Sequence, residues 1–173
     1  AQFEAVIAQQ EAEPERGKSD KLLLNILPEE VAEELKEKGS VEPVYFENAT
    51  IMFTDFKGFT QIAEGMTPNE LIKELDGCFT QLDNIIQRNN LEKLKTIGDS
   101  YMCAGGLPKT NMTHAIDTCL AALEIRSFMN QMKDIKSMLD TPFWELRLGI
   151  NSGPLLAGVV GAKEFAYDGK CTI

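Results

Sequence analysis

The sequence predicts an α+β fold, a ferredoxin-like βαββαβ sandwich behind an N-terminal helical connector, and three observations carry that prediction. Between residues 49 and 160 the apolar pattern passes from strand-like runs to helical spacing and back, twice. Thr67-Pro68-Asn69-Glu70 is a capping-box signature: an N-cap Thr, a first-turn Pro, and a Glu three residues on. Gly98-Asp99 separates two short strand-like runs in the manner of a hairpin turn. With 173 residues, 43% of them hydrophobic, the chain can bury a core for one domain plus an appendage.

Taken in order, residues 1–18 are polar and rich in Glu, Gln and Ala, interrupted by Pro14 and Gly17, and read as a linker or the end of a connecting helix. Ser19 to Leu27 is helix-prone, with Leu23, Leu24 and Leu27 on one side. Pro28 suits a first helical turn, Glu29 and Glu30 suit the positive end of the helix dipole, and Gly39 suits a C-terminal cap. Residues 1–44 are therefore assigned to the connector and 45–173 to the folded domain. Ala49–Asp55 is the first strand. Leu71, Leu75, Phe79, Leu82 and Ile86 mark one face of a helix running to about Arg88. Gly77 inside it costs about 1 kcal/mol relative to Ala, which points to a close packing contact there. Leu91–Ile97 and Tyr101–Ala104 form the hairpin, and a second helix covers roughly Thr113–Met132. His114 opens that helix and reads as a surface or capping residue. Trp144–Ile150 alternates as a strand, and Asn151-Ser152-Gly153-Pro154 reads as a turn into a partner strand, Leu155–Val160.

Charge and cysteine usage narrow the function. The net charge is −10, and residues 1–47 hold 12 Asp/Glu against 5 Lys/Arg, so most of the excess sits in the connector. No basic stripe offers itself to nucleic acid. The apolar runs are too short to span a membrane, and no secretory leader is visible. Cys78, Cys103, Cys119 and Cys171 form no Cys-x-x-Cys pair, and three fall on apolar patterns, which suits reduced, buried thiols in the cytoplasm. Ser152 has no base near it in the sequence, against a serine hydrolase.

Two aspartates carry the chemistry. Asp55 ends the first strand, and Asp99 follows the second. A right-handed crossover makes those strands parallel, so both carboxylates reach one sheet edge although they lie far apart along the chain. Beside them the loop at Lys57-Gly58-Phe59-Thr60 offers backbone N–H groups. Carboxylates next to such a loop suit Mg²⁺ and a polyphosphate.

The runs Phe53-Thr54-Asp55-Phe56-Lys57-Gly58-Phe59-Thr60, Lys93-Leu94-Lys95-Thr96-Ile97-Gly98-Asp99 and Arg147-Leu148-Gly149-Ile150-Asn151-Ser152-Gly153-Pro154 resemble the class III nucleotidyl cyclase catalytic domain. So do Ala157-Gly158-Val159-Val160-Gly161 and Phe165-Ala166-Tyr167-Asp168, in family order, from about residue 45 to 168. The resemblance implies that Asp55 and Asp99 are catalytic metal ligands, with the Phe56 carbonyl as a further ligand, for two Mg²⁺ (or Mn²⁺) per site. It implies that Lys57, Gly58, Phe59 and Thr60 cradle the β- and γ-phosphates by their amides and that Arg147 contacts phosphate. Lys95 and Asp168 match the pair that reads adenine, where guanylyl cyclases typically carry Glu and Cys, so ATP is the implied substrate. It also implies a head-to-tail homodimer, one partner supplying Asp55 and Asp99 and the other Lys95 and Asp168, within a cytoplasmic domain that can follow a sensor or membrane segment.

After Asp168 the resemblance stops. The family continues with Trp-Gly, then Thr-Val-Asn and an Arg one turn later, whereas Gly169-Lys170-Cys171-Thr172-Ile173 stands here. Groups of that kind each contribute factors of about 10²–10³, so these 173 residues by themselves are expected to cyclise ATP poorly. Two alternatives stay open beside adenylate cyclase: a non-catalytic, nucleotide-binding regulatory module, and a guanylate cyclase.

Overall fold

The computed structural model describes residues 21–160 and 166–171, with side chains over 21–159. These residues divide into two compact units, 21–43 with 158–160 and 166–168, and 44–157 with 169–171. In the first unit, helix α1 (Glu29–Lys38) starts at Pro28, which takes the N-cap position, and ends where the Gly39 N–H donates to the Leu35 carbonyl at 2.9 Å. Gly39 has φ +72°, the left-handed conformation that glycine adopts without a Cβ clash. Leu27 is buried but Leu24 is 45% exposed, so the leucines ahead of α1 do not share one buried side.

The second unit begins with a long strand, β1 (Val44–Lys57), followed by a short helix α2 (Phe59–Glu64) and helix α3 (Pro68–Arg88). The hairpin β2 (Glu92–Ile97) and β3 (Ser100–Gly105) precedes helix α4 (His114–Met138). Strands β4 (Glu145–Val160) and β5 (Ala166–Cys171) complete the sheet, in the order β2-β3-β1-β4-β5. β1 pairs antiparallel with β3 and β4, and β2 pairs antiparallel with β3, so β1 and β2 run parallel with β3 between them. This is the α+β sandwich that the sequence predicts.

Alternation along β1 separates the two faces of the sheet. Thr50, Met52, Thr54 and Phe56 are buried, whereas Phe53 is 41% exposed and Ile51 and Asp55 are half-buried. Met52 and Phe56 join Leu82, Ile85 and Ile86 of α3 and Ala121, Ile125 and Met129 of α4 in one core. The helices therefore cover the Met52/Phe56 face, and the Phe53/Asp55 face stays open. The capping box of α3 is present in full: Glu70 N–H donates to Thr67 Oγ1, and Thr67 N–H donates to Glu70 Oε2. Among the described residues no helix is long and apolar enough to cross a membrane.

Four sequence expectations are corrected. The predicted turn at 151–154 is part of a continuous β4, because β1 is itself long enough to pair along it from Lys57↔Glu145 to Val44↔Ala157. The register shifts between Phe46 and Ala49, so Pro154 lies opposite a bulge. Proline has no N–H to give a ladder and is tolerated at such a point. Second, α4 extends to Met138, six residues beyond the predicted end. Third, a Cβ added to Gly77 would meet nothing within 4 Å, so no packing contact requires that glycine. Cys119 is also exposed, unlike buried Cys103 and half-buried Cys78.

Candidate active site

Asp55 reaches its position because β1 runs on to Lys57, and Asp99 because β2 and β3 close through a two-residue loop. Ile97 pairs with Ser100 across that loop, and Gly98, its first residue, has φ +59°. A type II′ hairpin places glycine at that position. Asp99 is thereby turned toward the end of β1, where its Oδ2 accepts the Phe56 N–H at 3.1 Å. The two sequence-predicted metal ligands thus meet at one sheet edge, tied through the residue that follows Asp55.

Asp55 itself faces Arg147, its register partner on β4. Arg147 Nε donates to Asp55 Oδ1 at 2.8 Å and Nη2 to Oδ2 at 2.7 Å, a two-pronged pairing that occupies both carboxylate oxygens. The hydrogen bonds to Asp55, then the negative charges of Asp55, Asp99 and Glu145, hold the Arg147 pKa above its ordinary value. Next along, Lys57 pairs with Glu145 at 3.2 Å on the surface. Gly58 follows with φ +69° and forms the N-cap of α2. Ile62 N–H donates to the Gly58 carbonyl at 3.2 Å, so the amides of Phe59, Thr60 and Gln61 precede the helix ladder.

An aromatic cluster backs this edge from the helix side. The Phe56 ring lies 5.1 Å from Trp144 and 6.4 Å from Phe79, and Phe59 meets Trp144 edge-on at 5.4 Å. On the same side a cavity of about 640 Å³ opens between α3 and α4, lined by Phe56, Gly77, Cys78, Met129, Met132 and Trp144. Burial, aided by the Glu74 charge, pushes the Cys78 thiol up to about 12, so the thiol is neutral at physiological pH, while Glu70, Lys73, Glu74 and Lys136 bring charge to the same cavity. Across the sheet, a second cavity of about 460 Å³ runs beside the acidic edge, lined by Ile51, Phe53, Asp55, Arg147, Gly149 and Asn151.

Lys95 is half-buried on β2, beyond a bulge between Lys93 and Lys95. Its register partner Met102 also pairs with Phe53, which places Lys95 on the open face with Phe53 and Asp55. Asp168 belongs to β5, and its side chain lies outside the described residues, as does that of Cys171.

One constellation escaped the sequence reading. His114 is 7% exposed rather than on the surface, and its Nδ1 lies 2.7 Å from Thr50 Oγ1, which lies 2.6 Å from Ser152 Oγ. Gly105-Gly106 was the available signal. A Cβ on Gly105 would come within 2.9 Å of the His114 carbonyl oxygen, so the helix start presses onto the strand there.

The family model of the adenylate and guanylate cyclase catalytic domain matches residues 41–169. The chain belongs to that family. Among curated relatives of this cyclase domain, human guanylyl cyclase C is 45% identical over 154 residues, which is 88% of this chain and 14% of that protein. The chain thus spans about a seventh of the length of the curated relatives it matches. Among solved structures, the catalytic core of a rhodopsin-guanylyl cyclase with converted specificity, in complex with ATPalphaS, is 30% identical. It superposes with a TM-score of 0.67 over 75% of this chain and 68% of that one. The adenylyl cyclase CyaB from P. aeruginosa shares the fold at 23% identity, with a TM-score of 0.69 over 75% of this chain and 68% of that one.

The family's divalent cation can be weighed against the residues present. Among the described residues no three His, Cys, Asp or Glu side chains form a cage for a metal ion. Mg²⁺, however, is commonly held by one or two carboxylates and completed by substrate phosphates and water. Asp55 and Asp99 supply hard oxygen donors of that kind, so the donor set fits.

Proposed function

We propose that this cyclase domain belongs to an adenylate cyclase, converting ATP to 3′,5′-cyclic AMP and pyrophosphate at a site shared by two head-to-tail copies. The observation that carries the reading is the convergence of Asp55 and Asp99 at one sheet edge, joined by the Phe56 N–H. In this reading Asp55, Asp99 and the Phe56 carbonyl hold two Mg²⁺ or Mn²⁺ ions. When bound, such ions lower the pKa of the ribose 3′-hydroxyl and offset charge on the phosphates. The 3′ oxygen attacks the α-phosphorus, the bond from that phosphorus to the bridging oxygen breaks, pyrophosphate leaves, and the hydroxyl proton passes to solvent. Amides from Lys57 to Thr60 receive the terminal phosphates at the start of α2, where N–H groups have no intrahelical acceptor. Arg147 contributes positive charge beside them. The reducing cytoplasm suits a domain whose Cys78, Cys103 and Cys119 are free thiols.

Adenine is favoured by residue type. Lys95 on the open face can donate to adenine N1, and Asp168 can accept from its 6-amino group, whereas guanine reverses both demands. A mismatched polar pair in a desolvated site discriminates strongly. A guanylate cyclase is the second reading, supported by the 45% identity to human guanylyl cyclase C. Turnover of ATP and GTP by the protein separates the two. Adenylate cyclase requires ATP to be preferred and Lys95→Glu to cut ATP turnover by about 10²-fold or more. Preference for GTP would install the second reading. Asp55→Ala is expected to lower either activity by about 10²–10³-fold.

A further inference from the structure

We propose that Arg147 is an exchangeable cover on Asp55. Its guanidinium holds both Asp55 oxygens until a divalent cation takes the carboxylate, and the arginine so released is then available to the nucleotide's phosphates. Cation and nucleotide therefore bind with positive coupling. This deepens the reading above and rests on it, because it takes Asp55 as a metal ligand and Arg147 as a phosphate contact.

The geometry argues for exchange rather than coexistence. Arg147 and Asp55 are direct register partners, and the two hydrogen bonds at 2.8 and 2.7 Å approach both oxygens at once. Each oxygen keeps a second lone pair, but a dication on it would stand roughly 4–5 Å from the guanidinium charge, where like charges repel. The pair is also free to open. The Arg147 side chain is 62% exposed and that of Asp55 36%, so solvent can rehydrate both without unfolding the strands that carry them. What holds the guanidinium is first its two hydrogen bonds to Asp55, then the negative charge of Asp55, Asp99 and Glu145. A cation on Asp55 and Asp99 cancels most of that attraction, and a triphosphate restores an equivalent one on the open face. By linkage, a nucleotide that draws Arg147 away exposes Asp55 to the cation by the same factor.

The test is direct Mn²⁺ binding to the 173-residue chain, followed by paramagnetic resonance of the free ion, without nucleotide and then with 3′-deoxy-ATP or 3′-deoxy-GTP. In the absence of nucleotide, Arg147→Gln and Arg147→Lys should each bind Mn²⁺ about two- to fivefold tighter than wild type, the scale of a solvent-screened pair. The lysine variant keeps the positive charge and loses the two-pronged grip, so it separates exchange from a general field effect. Nucleotide should tighten Mn²⁺ binding in the wild type and do so less in Arg147→Gln. Mn²⁺ binding that is abolished by Asp55→Ala yet unchanged in both Arg147 variants would overturn the exchange and leave the metal site standing. Tightening in Arg147→Gln alone would also overturn it, in favour of simple charge removal. Undiminished binding in Asp55→Ala would remove the metal-site reading and the exchange together.

Discussion

Glu70 shows what a single side chain does at a helix start. Its carboxylate accepts from the Thr67 hydroxyl and N–H, and these hydrogen bonds hold its pKa below the ordinary 4.5. A group depressed on folding contributes stability above its unfolded pKa and loses it as pH falls through the folded value. Glu70→Gln is therefore expected to lower the thermal midpoint by a constant amount between about pH 5 and 8, with the difference shrinking toward zero below about pH 4. A difference that grew on acidification would contradict the capping role. At this scale the sequence was legible where partners are neighbours, as in Thr67 and Glu70. It was silent where they are 64 or 92 residues apart, as in Thr50 with His114 and Asp55 with Arg147. The motif gave Arg147 a phosphate role, and nothing in its spacing told of the carboxylate it holds.

Among the elements, α3 and β4 were read with opposite success. The boundaries of α3 follow from its capping box and apolar stripe, and they match the structure. β4 was cut in two because Asn-Ser-Gly-Pro is turn chemistry, and local chemistry gave way to a partner strand long enough to pair past it. Gly77 makes the same point in reverse. It sits in the interior of α3 with nothing near the position of a Cβ, so Gly77→Ala removes backbone freedom from the unfolded chain at no steric cost. The expected outcome is a gain of about 0.5–1 kcal/mol, measured by urea unfolding. A loss of stability would mean that the cavity beside it is filled.

At the scale of the molecule, the order of strands and helices was legible because each carries its own period. The two aspartates could be brought together from topology alone. The way they meet, through the Phe56 N–H, could not. If each site draws Asp55 from one copy and Lys95 from the other, mixing Asp55→Ala with Lys95→Ala should restore activity that neither variant has. Random pairing would return about a quarter of the wild-type rate, since half the dimers are mixed and each holds one intact site. Failure to recover would argue for sites complete within one chain. Phe56 also joins the two sides of the sheet: its ring is 3% exposed among Phe79 and Trp144, while its N–H holds Asp99. Strand ends ordinarily fray, but this one is bolted from behind. The steadiness of the acidic edge is thus set by aromatic packing on the far side, and trimming that ring would blur the spacing of the carboxylates without touching either of them.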